Sequence, residues 1–374
     1  MGDKLTTLRE LSVGYYFYTK TADSTLPTPS VFVDICNRNI KNSKIVLQDI
    51  SKNPENFNDE ELITIKNGLK IAKIIEGKLH INKNPIIEWV GRLTQSGSPI
   101  DIIINDKRIS LKEDSYILSN MGLYDYLNII TNSKDHKKGL NIFKIFAPRE
   151  FNEWFKITLG LLIEQRPNMF SCETDKYKSN MYIENNTLIL SYKERGKQDK
   201  CVNIVNINNC SYEIFMSYTN PIIREKVFCK WIKTIEKKQK YYEAKRRCSV
   251  TAGQNLIREY KKCIGTSPNS LLRLFNIDKN EYFYAKTTIS GCELYYVPPI
   301  SSCSNLITIL NIEDDVPKSQ LSIITTLKNT KSGVEIILRN EMRYSHGQFN
   351  GTPEAKLYFK RGFDLSIIYE PITI

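Results

Sequence analysis

Between Pro99 and Lys112 the chain reads Pro-Ile-Asp, three further hydrophobic isoleucine positions, the charged stretch Asn105-Asp106-Lys107-Arg108, and then Ile109-Ser110-Leu111-Lys112. This pattern predicts a β-hairpin. Two apolar runs can each bury one face, and an Asn/Asp-rich turn can reverse the chain between them. The hairpin sets Asp101 at the start of one strand and Lys112 on the next, so a carboxylate and an ammonium reach one edge of a sheet. On the second strand Ser110 and Lys112 share a face while Leu111 points to the other. Ile109, Leu111 and the isoleucines are then free to build a core.

The flanking sequence is read by its periodicity and its breakers. Leu26-Pro27-Thr28-Pro29 interrupts any helix, and Val31–Ile35 predicts a strand. Asn58 or Asp59 caps a helix that runs to Glu76, with Leu62, Ile65, Leu69, Ala72 and Ile75 on its apolar face and Gly77 as its stop. Pro85 opens a short helix from Ile86 to Leu93, which carries Glu88. A helix over Asn120–Thr131 follows the hairpin and carries Asp125. Pro148 opens another, with Phe151, Trp154, Phe155, Leu159, Leu162 and Ile163 facing inward. Asn185-Asn186 predicts a hairpin turn between Met181–Glu184 and Thr187–Leu190. Cys201–Ile207 and Tyr212–Tyr218 would extend that meander. Strands are expected again at Tyr282–Thr287, Leu294–Val297, Leu321–Leu327, Val334–Leu338 and Lys356–Phe359.

These elements predict an α/β (α+β) chain with a mixed-sheet core flanked by helices, a basic helical segment and a β-rich C-terminal part. The expected partition is 1–145, 146–270 and 271–374. A length of 374 residues allows two domains or one core with large insertions, and 41% apolar with 25% charged residues is a globular composition. The nine cysteines contain no Cys-x-x-Cys pair, which argues against a zinc ribbon and for reduced thiols in a cytoplasmic, nuclear or virion setting. No run of 18 apolar residues is present, so no membrane partner is expected.

The net charge of +12 points to a polyanionic partner. The charge is concentrated. Residues 221–262 hold thirteen Lys or Arg against four Glu, a surplus of nine. The segment reads as one or two long helices broken near Ser249–Gly253. Lys237, Lys238, Lys240, Lys245, Arg246 and Arg247 are its candidate phosphate contacts, interleaved with Tyr241 and Tyr242. The polar loop from Arg343 to Gly351 adds Arg343 and Gln348, residue types that read base edges.

The series Pro99-Ile100-Asp101 … Ser110-Leu111-Lys112 resembles the PD-(D/E)xK nuclease superfamily, to which restriction endonucleases belong. The resemblance covers roughly residues 60–135. It implies a restriction-endonuclease-like core, Mg²⁺ as cofactor and hydrolysis of DNA phosphodiesters. Asp101 and Glu88 would hold the metal and Lys112 would position the attacking water. Two positions depart from the pattern: Ile100 separates the proline from the aspartate, and Ser110 stands where the second acid is usual. The missing carboxylate would come from Glu88, Asp125 or Glu113. A two-fold homodimer follows if palindromic sites are cut. A shorter Glu-x-Lys match, Glu354-Ala355-Lys356, has Glu335 as its nearest acid.

Other chemistries fit less well. His80, His136 and His346 are isolated, which disfavours zinc hydrolysis and histidine acid–base pairs. Phosphate-binding Gly-x-x-x-x-Gly-Lys-[Ser/Thr], dinucleotide Gly-x-Gly-x-x-Gly and Gly-x-Ser-x-Gly sequences are missing. The alternative is a non-catalytic DNA- or RNA-binding protein, such as a virion or chromatin-associated scaffold.

Overall fold

Helix α1, Gly2–Thr19, is enclosed on almost every side, and Thr7 to Phe17 are all buried. Such a helix has no polar stripe, so residues 1–50 read as short apolar runs and conceal it. The computed structural model describes residues 2–21, 26–50, 56–91, 99–112, 117–130, 135, 139, 141–165, 170–263, 268–277, 279–288, 291–303, 306–315, 320–344, 346–359 and 363–372.

After α1 comes α2, Pro29–Asn39, where a strand was expected over Val31–Ile35. Pro29 sits in the first turn, where its missing N–H costs nothing, and Phe32 and Cys36 bury one turn apart. Strand β1 (Ile40–Lys41) and helix α3 (Lys44–Ile50) lead to α4, Asp59–Leu79. Helix α4 begins as foreseen, in a reciprocal cap between Asn58 and Glu61, but runs through Gly77 to end at left-handed His80. The expected helix over Ile86–Leu93 is instead strand β2, Ile87–Trp89. The period-two burial explains the error: Ile86 is 62% exposed while Ile87 and Trp89 are buried.

The hairpin is β3 (Ile102–Ile104) and β4 (Lys107–Lys112), with Ile104 opposite Lys107. Only Asn105 and Asp106 form its turn, Asn105 at φ +56°, so Lys107 and Arg108 belong to the strand. Strand β5 (Ile117–Gly122) then precedes α5 (Leu123–Ile130), where one helix from Asn120 was expected. Helices α6 (Ile142–Phe146) and α7 (Pro148–Glu164) follow; α7 buries its predicted face.

A meander comes next: β6 (Phe170–Glu173), β7 (Tyr177–Glu184), β8 (Thr187–Glu194) and β9 (Lys200–Val205). The predicted turn at Asn185-Asn186 has both residues at positive φ, as a type I′ hairpin needs. The strand expected at Tyr212–Tyr218 is helix α8, over the same residues. The Ser211 hydroxyl caps it by accepting from the Ile214 amide, and Tyr212 and Phe215 bury together. Helix α9 (Pro221–Ile223) continues through a π turn into α10 (Cys229–Ile235), and α11 spans Gln239–Cys263. The helical break lies at 236–238, not at Ser249–Gly253. Those small residues serve packing instead. A Cβ on Gly253 would lie 2.8 Å from both Asp314 Oδ1 and Leu321 Cδ1.

The remaining strands are β10 (Tyr282–Thr288), β11 (Gly291–Val297), β12 (Ile307–Asp314), β13 (Leu321–Asn329), β14 (Glu335–Arg343), β15 (Glu354–Phe359) and β16 (Glu370–Pro371). Among the described residues they form three sheets. One is mixed, in the order β1-β2-β3-β4-β10-β11-β16, with β10 parallel to β4. The second runs β12-β13-β14-β15-β5 and the third is the β6–β9 meander. The sheets draw strands from both sides of the 145 and 270 boundaries, since β10 and β11 complete the hairpin's sheet and β5 completes that of β15. The first core holds α1 to α4 against Ile102, Ile104, Ile109 and Leu111, and the second gathers α5 to α11 with the other two sheets. Among the described residues no helix is long and apolar enough to cross a membrane.

Candidate functional site

Asp101 is fixed by the strands on both sides. Its amide donates to the Ile109 carbonyl at 3.0 Å, and its own carbonyl accepts from the Val90 and Gly91 amides at 3.1 Å each. Its carboxylate turns back onto β4. Oδ2 accepts from the Leu111 amide at 2.7 Å, from Lys112 Nζ at 3.1 Å and from Ser110 Oγ at 3.4 Å. The Asp101 side chain is 14% exposed and that of Lys112 36%. The pair therefore lies at the surface of the sheet with the lysine toward solvent. Asp101 and Lys112, on the two sides of the hairpin, are thus in direct contact.

The neighbouring acid is one the sequence reading missed. Glu10 projects from α1 and is buried at 4% exposure. One of its oxygens accepts from the indole N–H of Trp89 at 2.7 Å. Burial foremost, and then the Asp101 charge, push the Glu10 carboxyl up; Trp89, Lys112 and Arg9 offset part of the effect, and the net is about 7. The Asp101 charge thus acts on Glu10, whose carboxyl lies in a region of low dielectric. Gly91 makes the room. A Cβ there would lie 2.7 Å from the Trp89 ring and 3.1 Å from the Glu10 carboxylate. On the other side, β10 sets Lys286 opposite Lys112 and Tyr284 opposite Ser110. Burial and the Asp101 charge push the Tyr284 phenol upward.

Two other proposed acids sit on β2 and α5. Glu88 is on a strand, not a helix, and its Oε1 accepts from Asn42 Nδ2 at 3.0 Å beside β1. Asp125 lies in the first turn of α5, whose Leu123, Tyr126 and Leu127 pack into the second core. Glu113 falls outside the described residues. Ser110 is fully buried and donates to Asp101, so it supports the aspartate instead of replacing an acid. Glu354 and Glu335 occupy opposite ends of β14's register, across from Arg343 and Lys328 respectively, which separates the second Glu-x-Lys match from its acid. The clue to Glu10 was the pair Arg9-Glu10 inside Leu8–Phe17, since charges rarely enter an apolar helix without a partner.

Among the described residues no three His, Cys, Asp or Glu side chains gather as a metal cage. The hydrogen bonds from β4 to the Asp101 carboxylate fall on Oδ2.

The basic residues divide into two groups. Lys237, Lys238 and Lys240 are exposed around the start of α11, as are Arg246 and Arg247 one to two turns later. Arg246 and Arg247 line a groove of ≈ 360 Å³ with Arg149, Glu150 and Glu153 of α7. Tyr242 is 43% exposed, whereas Tyr241 is buried and cannot stack on a base. Lys245, Arg343 and Gln348 turn inward and line a separate cavity. Gln348 donates to Glu236 Oε1 at 3.1 Å, and Asn350 is buried against Arg224, so the Arg343–Gly351 loop packs inward over much of its length.

No protein-family model, curated protein or solved structure matches this chain.

Proposed function

We propose that this protein is a Mg²⁺-dependent endonuclease that hydrolyses DNA phosphodiesters, with Glu10, Asp101 and Lys112 as its reacting residues. The observation that carries the reading is the Asp101–Lys112 contact at 3.1 Å beside a buried Glu10 held near neutral pKa. A mixed sheet that shares its core with helices α1 and α4 supports the reading of a restriction-endonuclease-like core.

The residues have separable tasks. Asp101 and Glu10 would hold Mg²⁺, and Glu10 must give up its proton for this. The ion would lower the pKa of attacking water and offset charge on the scissile phosphate. Lys112 would orient that water or stabilise the extra negative charge that develops on the phosphoryl oxygens. Asp101 holds Lys112 in place before substrate arrives. Lys286 adds a second positive charge across the strand. The exposed cations of α11 and its preceding link provide a surface for the phosphate backbone, which supplies affinity without sequence reading.

The test is incubation of supercoiled plasmid with the purified protein. Nicked or linear product should form with Mg²⁺ and disappear with EDTA, while an RNA duplex of equal length stays intact. Binding that persists in EDTA with no product at any Mg²⁺ concentration would favour the second reading, a scaffold that uses the exposed cations alone.

A further inference from the structure

A cavity of ≈ 150 Å³ opens between α7, α11 and the end of β14, remote from the hairpin in the chain and set in the second core. Phe143, Trp154 and Tyr344 form its aromatic wall, and Phe143 and Tyr344 stack at 5.6 Å. Lys245 and Arg343 bring two positive charges into it. Neither forms an ion pair among the described residues, and Arg343 Nε is shielded from solvent without a hydrogen-bond partner. Glu236, the acid that acts on Lys245, already accepts from Gln348, and Glu354 faces Arg343 across the strand pair. Burial also lowers the Lys245 ammonium from its usual range, with Glu236 only partly opposing.

Desolvated cations left without a counter-charge are costly, and folds retain them where a ligand completes the pairing. The cavity volume is well above the ~10–15 Å³ that one water needs. It is below the ~300 Å³ at which sites for drug-sized molecules begin. A compact anion matches it, and two cations match a dianion. Phosphomonoesters carry about −1.5 to −2 at pH 7 and accept the fork of an arginine well. We propose that this cavity binds a phosphomonoester, held by Lys245 and Arg343 against the aromatic wall. The ligand is either a small phosphorylated molecule or the 5′-phosphate end of a nucleic acid strand. The inference does not depend on the hairpin chemistry.

The experiment uses full-length wild type, Arg343→Met, Lys245→Met and Asp101→Ala. Each is titrated with inorganic phosphate by calorimetry and melted with and without phosphate, against sodium chloride of matched ionic strength. Phosphate should bind wild type and Asp101→Ala alike and raise both melting temperatures. Each methionine variant should bind about 10- to 100-fold more weakly, and should melt higher than wild type in chloride because a partly desolvated charge without an ion pair is gone. If a methionine variant does not fold, Arg343→Lys and Lys245→Arg take its place and should show intermediate affinity. A 5′-phosphorylated oligonucleotide that binds tighter than its 5′-hydroxyl twin marks the strand end as the source. Equal binding of the two, with phosphate still bound, marks a small ligand. Flat calorimetry with wild type, or undiminished phosphate binding in the charge variants, overturns the proposal.

Discussion

Glu10 is the residue on which the proposed chemistry turns, and its titration has a sign that can be checked. Its carboxyl stands near 7 in the fold against 4.5 for the unperturbed group. Below pH ~4.5 both folded and unfolded chains hold the proton, and the group contributes nothing to the pH dependence. Between ~4.5 and ~7 the unfolded chain releases it first, so stability falls as pH rises, and the loss is complete above ~7. Glu10→Gln should remove this slope and stabilise the metal-free protein at pH 8 by about 1–3 kcal/mol, as read by urea melts at pH 5 and pH 8. The same variant should lose DNA cutting, because it trades a metal-binding oxygen anion for a neutral amide. A gain in stability without loss of cutting would remove Glu10 from the site. Gly91 is the second residue to test. Gly91→Ala pushes into the Trp89 ring, should cost about 1–3 kcal/mol by overpacking, and should lower activity by moving Glu10. Asp101 and Lys112 were legible in the sequence because a hairpin is local and its pairing is fixed by a two-residue turn. Glu10 was not, because its adjacency to Asp101 arises from docking α1 on the sheet.

Among elements, the errors share a cause: tertiary context outweighs local pattern. Helix α1 is buried all round and shows no amphipathic stripe. Strand β2 followed a proline that is as compatible with a strand entry as with a helix start, and pairing with β1 and β3 decided the outcome. Residues 212–218 carry β-prone aromatics, yet the Ser211 cap and the burial of Tyr212 and Phe215 make a helix. Helix α11 was read as broken at Ser249–Gly253, where the small side chains admit β12 and β13. Gly253→Ala tests that reading. An alanine suits a helix better than glycine by about 1 kcal/mol, but the collision with Asp314 and Leu321 should reverse the sign and lower stability by about 1–3 kcal/mol. Thermal melts that show stabilisation would restore the interpretation as a helix-breaking site. Where the pattern was strongly periodic, as in α4, α7 and the Asn185-Asn186 hairpin, sequence and structure agree.

At the scale of the whole molecule, the sheet that carries Asp101 and Lys112 is finished by strands from near the chain's other end. Strand β10 lies parallel to β4 in a register that sets Lys286 beside Lys112, and no local signal announces such a pairing. The basic surface is likewise only partly what its sequence suggested, since Lys245 and Arg343 turn into a cavity while Lys237, Lys238, Lys240, Arg246 and Arg247 stay outside. Five exposed phosphate contacts would give a log–log salt slope for DNA binding of about −4.5, and replacing Lys237 and Lys238 by glutamine should bring it to about −2.7. Fluorescence anisotropy across 50–300 mM salt reads this directly, and an unchanged slope would move the DNA surface elsewhere. The central claim is that Glu10, Asp101 and Lys112 cleave DNA with Mg²⁺ while the basic surface only binds it. Its most direct measurement compares plasmid cleavage and DNA binding for wild type, Asp101→Ala and Lys112→Ala in one Mg²⁺ buffer. The account predicts wild-type affinity in all three and product from wild type alone. Cleavage by either variant at the wild-type rate would contradict it.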